Sequence, residues 1–552
     1  MATGARLTVF DGASSIGGTK ILLEQGGTRL FLDFGTNYQR MGEYFEEYLQ
    51  PRPARGLVDL IELGLLPRRR GLYRPDLFPS HDYPDRDRDW DGEPPTAILL
   101  THGHLDHCGG IAYTDPTIPI VATPMTVALL RSWQETGGSS VASEITYFGR
   151  RVPVEREGSA GSLPGRLLAT ERGVPRRGRD FRLLGDVPGP LVEALRRSPV
   201  SEKVGFEPRD PEGAPSAFGD LRFRHHGVDH SVYGASGFLV ETEGGLLAYT
   251  GDLRFAGERG PESEGFLQLL EAKHPDLLIV EGTRLHRPGD RAPQPVRTED
   301  DVERNCRAEV ERYPGRLVVA DFGPRNVERL RRFRRISLDT GRQLVLTPKD
   351  AFLLHLLHSV DPRIEVDLST GGMRVLEEPS VGFERGWKSE VSRRYADAFL
   401  NPTDIARSPG RWILCFSFFD CNDLVDLKLE GATSGGLWLY SSSEAHGEEQ
   451  EFDFVRLQRW IRWAGMDQIG FRYLPDATGT PVLSFEHPDD VGHHASGHAT
   501  EAELVELIRR ASPGLVVPVH TTQTPERYRE ILAEHGADAR VAPVTSGRPI
   551  TW

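Results

Sequence analysis

Short apolar runs separated by glycine-rich turns open the chain. The runs cover residues 7–10, 19–24 and 28–34, and Gly26-Gly27 stands between the last two. Apolar runs with this punctuation are typical of β-hairpins. Later compact apolar runs predict further strands, at 97–101, 221–224, 237–242, 246–250 and 277–281.

Strand and helix patterns alternate beyond residue 285. Strands are predicted at 316–321 and 343–347, and helices at 326–336 and 352–358. Such alternation indicates a parallel α/β module, because parallel strands need a crossover helix between them.

The C-terminal region carries its own helix and strand signals. Thr500 and Glu503 form a capping-box pattern before a helix whose apolar face is Leu504, Val505, Leu507 and Ile508. The apolar run 515–519 then predicts a buried strand.

Two polar stretches interrupt these patterns. Residues 41–95 and 150–218 are rich in proline, arginine and charged side chains, and the first contains a short apolar segment near 57–66. We predict two loop-rich insertions, the first of them around one short helix.

Length and composition restrict the function classes. The 552 residues are too many for one domain of about 100 to 200 residues, so two or three are expected. A net charge of −15 argues against a wholly cationic nucleic-acid-binding surface, and any such contact must be local. Four cysteines without a CxxC pair fit a reducing compartment. We expect a cytoplasmic protein without signal peptide or membrane span.

The string Thr101-His102-Gly103-His104-Leu105-Asp106-His107 follows a predicted buried strand. Imidazoles at alternate positions can converge on one ion, while the aspartate and the next histidine turn toward a second. Nitrogen and carboxylate ligands of this kind suit zinc or manganese.

An HxHxDH string after a strand resembles the signature of the metallo-β-lactamase fold. The resemblance implies an αββα sandwich of class α/β with metals at one edge. It further implies His230 as a ligand of the first ion, Asp252 as a bridging ligand and His520 as a ligand of the second ion. Asp33 resembles the family's early aspartate beside the metals. The predicted metal ligands are His102, His104, Asp106, His107, His230, Asp252 and His520.

The long stretch between Asp252 and His520 resembles the inserted α/β domain of the β-CASP nucleases. This subgroup implies an acidic residue after the next strand, Glu281, and a late histidine, His498. The predicted domains are a first metallo-β-lactamase part at 1–284, a β-CASP domain at 285–480 and a C-terminal metallo-β-lactamase part at 481–552.

Within the subgroup, several strings resemble the ribonuclease J family in order. They are SSIGGTKILLE, THGHLDHCGGI, DHSVYGASGFLVET, YTGDLRF, HASGHA and VPVH. Three departures stand beside them. Thr521-Thr522 replaces the usual Gly-Glu, Glu281-Gly282-Thr283 replaces Asp-Ser-Thr, and the sequence stops soon after His520. We therefore expect no separate C-terminal dimerisation domain, so a homo-oligomer has no support from that source.

The resemblance implies a ribonuclease with two divalent ions, zinc with manganese as the alternative, that hydrolyses phosphodiester bonds in single-stranded RNA as a 5′-to-3′ exonuclease, an endonuclease or both. The predicted catalytic residues are Asp106, Glu281 and His498, with His498 as general acid. His494 and Ser496 are predicted to contact a substrate phosphate, with a helix-entry role as the alternative. A buried salt bridge is the alternative for Glu281 and His498.

Three other functions stay open at this stage. A DNA nuclease of the same group is the nearest alternative, since nothing in the sequence recognises a 2′-hydroxyl. The fold also hosts hydrolases of small esters, thioesters or lactams. A non-catalytic RNA-binding relative would be expected to have lost ligands.

We predict no functional role for several arginines and for one cysteine near the motifs. Arginines at 325, 329, 331, 332, 334 and 335 lie on one predicted helix and spread around it, which predicts a solvated face. The same holds for 68–70 and 176–177. Cys108 is predicted to serve packing, and His446 and Trp438 have no motif around them.

Overall fold

The computed structural model describes residues 4–80, 83, 90–154, 166–199, 204–285, 298–323, 325–364, 366, 368, 372–379, 386–442, 454–475, 479–485 and 487–552. His446 lies outside these residues.

Residues 4–285 are rich in short strands. In chain order these are β1 (Arg6–Asp11), β2 (Lys20–Gln25), β3 (Thr28–Phe34), β4 (Ala97–Leu99), β5 (Ile120–Ala122), β6 (Tyr147–Phe148), β7 (Arg151–Pro153), β8 (Leu168–Thr170), β9 (Arg176–Gly178), β10 (Phe181–Leu183), β11 (Phe206–Glu207), β12 (Glu212–Gly213), β13 (Ala217–Phe218), β14 (Leu221–Gly227), β15 (Ser236–Thr242), β16 (Gly245–Tyr249) and β17 (Leu277–Val280).

The later strands fall into an inserted group and a C-terminal group. They are β18 (Val318–Asp321), β19 (Gln343–Leu346), β20 (Met373–Leu376), β21 (Phe399–Leu400), β22 (Trp412–Phe416), β23 (Leu437–Tyr440), β24 (Asp467–Ile469), β25 (Arg472–Pro475), β26 (Pro481–Ser484), β27 (Leu515–Pro518) and β28 (Pro549–Ile550).

The α-helices connect these strands and cover the sheets. They are α1 (Tyr38–Gly42), α2 (Val58–Glu62), α3 (Leu105–Cys108), α4 (Pro124–Thr136), α5 (Gly189–Arg196), α6 (Gly260–Lys273), α7 (Glu299–Glu311), α8 (Val327–Asp339), α9 (Pro348–Val360), α10 (Trp387–Arg394), α11 (Pro402–Arg407), α12 (Leu424–Leu429), α13 (Phe454–Ala464), α14 (Glu501–Ala511) and α15 (Pro525–Glu534). Short 3-10 helices lie at Pro53–Arg55, Pro75–Leu77, Gly109–Tyr113, Val141–Ser143, Ala396–Ala398, Pro409–Arg411 and Phe418–Asp423.

Two sheets form the centre of a sandwich. The first has the strand order β12-β10-β5-β4-β3-β2-β1-β28, and the second has β13-β14-β15-β16-β17-β27. Alternate apolar side chains from both sheets meet in one core, which includes Leu30, Leu99, Val240, Leu247 and Val517. Because side chains alternate between the faces of a strand, the other face of each sheet is left for a helical layer.

Helices cover both outer faces. On the second sheet, α6 and α14 pack through Phe266, Leu270 and Leu504, among others. On the first sheet, α4 packs through Val127 and Leu130, together with apolar residues of the 57–78 region. The result is the predicted αββα layering.

A third, fully parallel sheet is built from residues 318–469. Its strand order is β21-β20-β19-β22-β18-β23-β24, and all its pairings are parallel. Helix α9 of this part packs against α4 of the sandwich. The alternating strands and helices predicted here are therefore confirmed.

Two predictions need correction, one about a polar segment and one about the arginines of helix α8. The segment 150–218 is not only loop, because β10 pairs in parallel with β5 and β12 extends the edge of the first sheet. The arginines of α8 do not form a solvated face, because Arg329 is fully buried and Arg332 nearly so. Both carry ion pairs to helix α7 that the local pattern cannot show, to Glu299 from Arg329 and to Glu303 from Arg332.

No helix in the described ranges is long and apolar enough to cross a membrane.

Candidate metal centre

The predicted ligands lie just beyond the carboxyl ends of strands at one rim of the sandwich. His102 and His104 follow β4, and the short helix α3 then presents Asp106 and His107. The three remaining predicted ligands, His230, Asp252 and His520, follow β14, β16 and β27. Neighbouring strands of the two sheets thus deliver all seven side chains to the same edge.

Three histidines form a first group. Nδ1 of His104 lies 3.2 Å from Nε2 of His102 and 3.1 Å from Nε2 of His230. The three nitrogens lie within 4.8 Å of one another. Three nitrogens that face one point match the ligand set of a zinc ion.

Asp106, His107, Asp252 and His520 form a second group, and Asp252 lies between this group and the first. Oδ2 of Asp252 lies 3.0 Å from Nε2 of His107 and 3.6 Å from Nε2 of His520. Oδ2 of Asp106 lies 2.9 Å from the same nitrogen of His520. Since Asp252 Oδ2 is also 3.7 Å from Nε2 of His102, this one carboxylate faces both groups.

Hydrogen bonds on the far side of each ring orient the nitrogens. His230 donates from Nδ1 to the carbonyl of Gly497 at 2.6 Å, and His107 donates from Nδ1 to Oδ2 of Asp33 at 2.8 Å. Such partners fix the tautomer and leave the Nε2 lone pair toward the site. Nδ1 of His102 and His520 face the hydroxyls of Thr101 and Thr283, at 2.9 and 2.8 Å.

Asp33 ties several of these elements together. Its carboxylate accepts hydrogen bonds from Thr101, through both N–H and Oγ1, and from the hydroxyl of Tyr249, in addition to His107. The side chain is fully buried. The predicted early aspartate therefore lies behind the second group rather than in it.

Burial and neighbouring charges shift the pKa values of the two groups in different directions. Burial and the adjacent imidazoles hold the pKa of His102 and of His230 well below the usual range. Burial opposes charge on His107 as well, but the carboxylates of Asp252 and Asp106 raise its pKa well above that range. The same pairing lowers the pKa of both aspartates against the effect of burial. The imidazoles of the first group thus favour the neutral form, whereas the second group sets two ionised aspartates against His107 and His520, whose pKa values are raised.

The residues fit divalent metal ions. Nε2 of His107 is buried and has no hydrogen-bond partner in the described part of the chain, although a carboxylate oxygen lies 3.0 Å away. A divalent cation that displaces the proton from this nitrogen would be held by the nitrogen and the anionic oxygen together. A His₃ group beside an Asp/His group that shares one carboxylate suits zinc or manganese.

Glu281 and His498 meet beside the second group. Nδ1 of His498 donates to Oε2 of Glu281 at 2.8 Å, and both side chains are buried. Oε1 of Glu281 accepts from the backbone N–H of Leu253 at 3.0 Å. Atoms of Glu281, His498, Asp252 and His520 all lie within 4.8 Å of one another.

Backbone geometry at the site is unusual at two predicted residues. Asp33 and His520 have φ of 59° and 50°, in the left-handed region that favours glycine. The other non-glycine residues with positive φ in the described ranges, His274 and Ser512, end helices. Strained backbone of this kind persists where the surroundings require one side-chain direction.

Among the described residues, the groups of possible metal ligands do not include His494 or Ser496. His494 is buried with its ring 5.4 Å from that of Phe485. Oγ of Ser496 accepts the N–H of His498 at 3.1 Å, which is a local turn contact. Their predicted contact with substrate phosphate stays a prediction.

Four residues escaped the sequence analysis of the site. Thr101, Tyr249, Thr283 and Gly497 make the contacts that orient the predicted ligands. Each lies within three residues of a predicted site residue. Examining the polar residues and glycines next to each motif could therefore have found them.

Comparison with known proteins agrees with this geometry. Residues 72–320 match the metallo-β-lactamase superfamily, and residues 491–542 match the Zn-dependent metallo-hydrolase RNA specificity domain. The predicted ligands His102 to Asp252 lie in the first region, and His520 lies in the second.

Curated relatives share low identity over long stretches. Ribonuclease J of Mycobacterium tuberculosis is 23% identical over 468 residues, which are 81% of this chain and 63% of the relative. Ribonuclease J of Mycolicibacterium smegmatis is 22% identical over 541 residues, or 96% and 71% of the two chains. The chain thus spans less than two thirds of the M. tuberculosis relative.

A solved structure shares the fold. A protein of unknown function from Enterococcus faecalis V583 is 21% identical, with a TM-score of 0.62 over 99% of this chain and 100% of the other. The chain thus carries one region similar to the metallo-β-lactamase superfamily and one similar to the RNA specificity domain, and it resembles ribonuclease J.

Proposed function

We propose that this chain is a metal-dependent ribonuclease similar to ribonuclease J, acting on single-stranded RNA as a 5′-to-3′ exonuclease, an endonuclease or both. The observation that carries the proposal is the convergence of seven side chains into two groups that share Asp252. The matched RNA specificity region and the ribonuclease J relatives support RNA as the substrate class.

We assign the seven predicted ligands to two divalent ions, zinc in the first instance. His102, His104 and His230 would hold one ion, and Asp106, His107 and His520 the other, with Asp252 bridging. Two bound ions at such a site activate water and neutralise the non-bridging oxygens of a phosphodiester.

The protein's own groups then supply proton transfer. When the bond to the 3′-oxygen breaks, that oxygen needs a proton. His498 is the proposed donor because one of its ring nitrogens lies within 4.8 Å of ligand atoms of Asp252 and His520. Glu281 holds the Nδ1 proton of His498 at 2.8 Å, which orients the ring and favours its protonated form. Asp106, beside His520, completes the proposed catalytic set. His494 and Ser496 remain the proposed contacts to a further phosphate.

The domain assignment is part of the same proposal. Residues 1–284 and 481–552 would form the catalytic sandwich, and 285–480 a β-CASP domain. Separate sheets support this division, since β18 to β24 pair only with one another in the described structure. A cytoplasmic location is proposed as well, because all four cysteines are buried free thiols.

One digestion tests the activity. RNA and DNA of the same sequence, labelled at one end and bearing a 5′-phosphate or a 5′-hydroxyl, are incubated with the metal-loaded protein and with His104→Ala. His535→Ala, an exposed histidine outside the groups, is the matched control.

We expect the wild type and His535→Ala to degrade RNA and His104→Ala to lose at least about a hundredfold in rate, because it lacks a ligand. Product lengths report direction and mode. Equal rates for wild type and His104→Ala would contradict the proposal. If the protein cleaved DNA but not RNA, the proposed substrate would be DNA instead of RNA.

A further inference from the structure

Arg254 lies two residues after Asp252, in the loop that follows β16. Its backbone N–H donates to the carbonyl of Asp229 at 2.8 Å, and the two residues form an isolated antiparallel bridge. Asp229 directly precedes His230. The backbone of Arg254 thus joins the loop that carries the shared carboxylate to the loop that carries a predicted ligand of the first group.

The Arg254 side chain makes the same connection a second time. Its Nε donates to Oδ2 of Asp229 at 3.2 Å, and both side chains are buried. A Cβ on Gly257 would lie 2.2 Å from this oxygen and 2.5 Å from Nη2 of Arg254. The absence of a side chain at Gly257 therefore lets the loop close tightly over the ion pair, which holds the two loops in one relative position.

Two carboxylates from the inserted part of the chain hold the rest of the guanidinium. Nη1 of Arg254 donates to Oε1 of Glu299 at 2.9 Å, and Nη2 donates to Oε2 of Glu328 at 2.7 Å. Glu299 is the first residue of α7 and Glu328 the second residue of α8, where the helix dipole favours a carboxylate. Neither helix carries a predicted metal ligand. All three carboxylates around Arg254 are buried, so each direction of the guanidinium fork meets a buried anion.

The loop 253–258 has further contacts on both of its sides. The N–H of Glu258 donates to Oε1 of Glu328 at 2.9 Å, which is a second attachment to α8. Toward the metal centre, the N–H of Leu253 donates to Oε1 of Glu281 at 3.0 Å. The loop therefore lies between the proposed catalytic residues and the first turns of α7 and α8.

These contacts leave the guanidinium little freedom. A movement of α7 or α8 must either carry the Arg254 side chain with it or break a buried, charged hydrogen bond. Leaving such a charge unpaired is strongly unfavourable. The position of the two inserted helices is thus transmitted to the loops behind the predicted ligands.

We propose that Arg254 is a positioning residue that couples α7 and α8 to the geometry of the metal centre. The two glutamates fix the guanidinium, and the guanidinium fixes the loops that carry Asp252 and His230. The inference rests on the proposed function for the assignment of these two residues as metal ligands. Because coupling between two sites is reciprocal, a bound metal ion should in turn tighten the contact of α8 with the loop.

The test separates positioning from a general loss of stability. Zinc affinity is measured by competition with a chelator, the ligand geometry by the visible absorption of the cobalt-substituted protein, and stability by urea unfolding. The variants are Arg254→Gln, Arg254→Lys and Glu328→Gln. Glu303→Gln is the matched control, because Glu303 lies on α7 and pairs with Arg332 and Arg335 rather than with Arg254.

We expect Arg254→Gln and Glu328→Gln each to raise the Kd for zinc about tenfold, the lower end of the usual effect of losing a partner behind a metal ligand. Both should change the cobalt absorption. Arg254→Lys should recover part of the affinity, since lysine keeps the charge but lacks the planar fork. Glu303→Gln should change stability alone. Glu328→Gln keeps the pair of Arg254 with Asp229 and so provides the test should Arg254→Gln fail to fold.

Hydrogen exchange measures the reciprocal effect. In the wild type, zinc should slow amide exchange in α8 at least about fivefold more than in α13, which packs on the other face of the inserted sheet. Glu328→Gln should lose this difference between the two helices, and Glu303→Gln should keep it. A purely structural Glu328 would leave the difference unchanged.

The outcomes distinguish the two proposals. If the wild type binds zinc and both Arg254→Gln and Glu328→Gln match Glu303→Gln in affinity and absorption, the positioning role is overturned and the ribonuclease stands. If zinc affinity depends on both residues but the wild type cleaves no nucleic acid, the ribonuclease is overturned and the positioning role stands. If the wild type binds no zinc, cobalt or manganese, both are overturned.

Discussion

His107 is held from behind by Asp33. Its Nδ1 donates to Oδ2 of Asp33 at 2.8 Å, while its Nε2 faces Oδ2 of Asp252 at 3.0 Å. One ring nitrogen is thus committed to a buried carboxylate, and the other is the atom available to a metal ion. The strength of metal binding should depend on a residue that need not touch the metal.

Replacing Asp33 with asparagine should weaken metal binding about 10- to 100-fold, the usual effect of losing a partner behind a metal-bound histidine. Asparagine tolerates the left-handed backbone at this position, so the fold should be retained. Zinc titration with a competing chelator measures the affinity. Asp186→Asn, an exposed site, is the control, and an unchanged affinity in Asp33→Asn would show that Asp33 serves packing alone.

Disrupting the proposed general-acid pair, His498 and Glu281, should lower the rate only for substrates with poor leaving groups. His498→Ala and Glu281→Gln should each lower kcat on RNA by about 10²- to 10⁴-fold. An activated aryl phosphodiester, whose leaving group needs no proton, should be hydrolysed nearly as fast as by the wild type. Equal losses on both substrates would assign the pair a structural role.

Gly497 leaves space that the His230 ring occupies. A Cβ at this position would lie 2.9 Å from Cβ of Ser231 and 3.3 Å from Cε1 of His230. Gly497→Ala should therefore displace His230 and weaken the first metal group about tenfold or more. Metal content after dialysis measures this, and Gly138→Ala, with open space around it, is the control. Full metal content in Gly497→Ala would contradict the expectation.

Glu299 should make stability depend on acid pH. Burial alone would raise its pKa, but the guanidinium groups of Arg329 and Arg254 outweigh burial and lower it from 4.5 to about 2. The charged pair therefore stabilises the fold fully above pH about 4.5, and this contribution is lost as pH falls toward 2.

Glu299→Gln should accordingly lower the free energy of unfolding by about 3 kcal/mol at pH 7, the cost of breaking a buried pair. The loss should be smaller by about 1 kcal/mol at pH 4, where the unfolded wild-type carboxyl takes up a proton. Urea unfolding at both pH values measures the difference. Glu311→Gln, exposed on the same helix, should change little at either pH, and a pH-independent loss would refute the charge assignment.

The HxHxDH string and the family resemblance that it carries made the site predictable from sequence. Asp252 and His520 each follow an apolar run, and neighbouring parallel strands bring their carboxyl ends to one rim. The pairing of β16 with β17 and of β17 with β27 does this. The inserted parallel sheet followed from the alternation of strand and helix patterns, whereas the sandwich was implied by the resemblance to the metallo-β-lactamase fold.

Long-range partners made the rest unpredictable. The charge pattern of α8 is that of a solvated helix, yet Arg329 is buried because Glu299 arrives from α7 to neutralise it. Arg254 likewise meets Asp229, Glu299 and Glu328. Spacing along the chain carries no information on such contacts, since each partner comes from a different element.

The position of β27 has a consequence for synthesis. This strand pairs with β17 and delivers His520, and β28 pairs with β1 at the edge of the first sheet. A nascent chain on the ribosome lacks these residues until the inserted sheet has been translated. Its second metal group is incomplete throughout that time, so any chemistry that needs His520 can begin only after the C-terminal strand has been made.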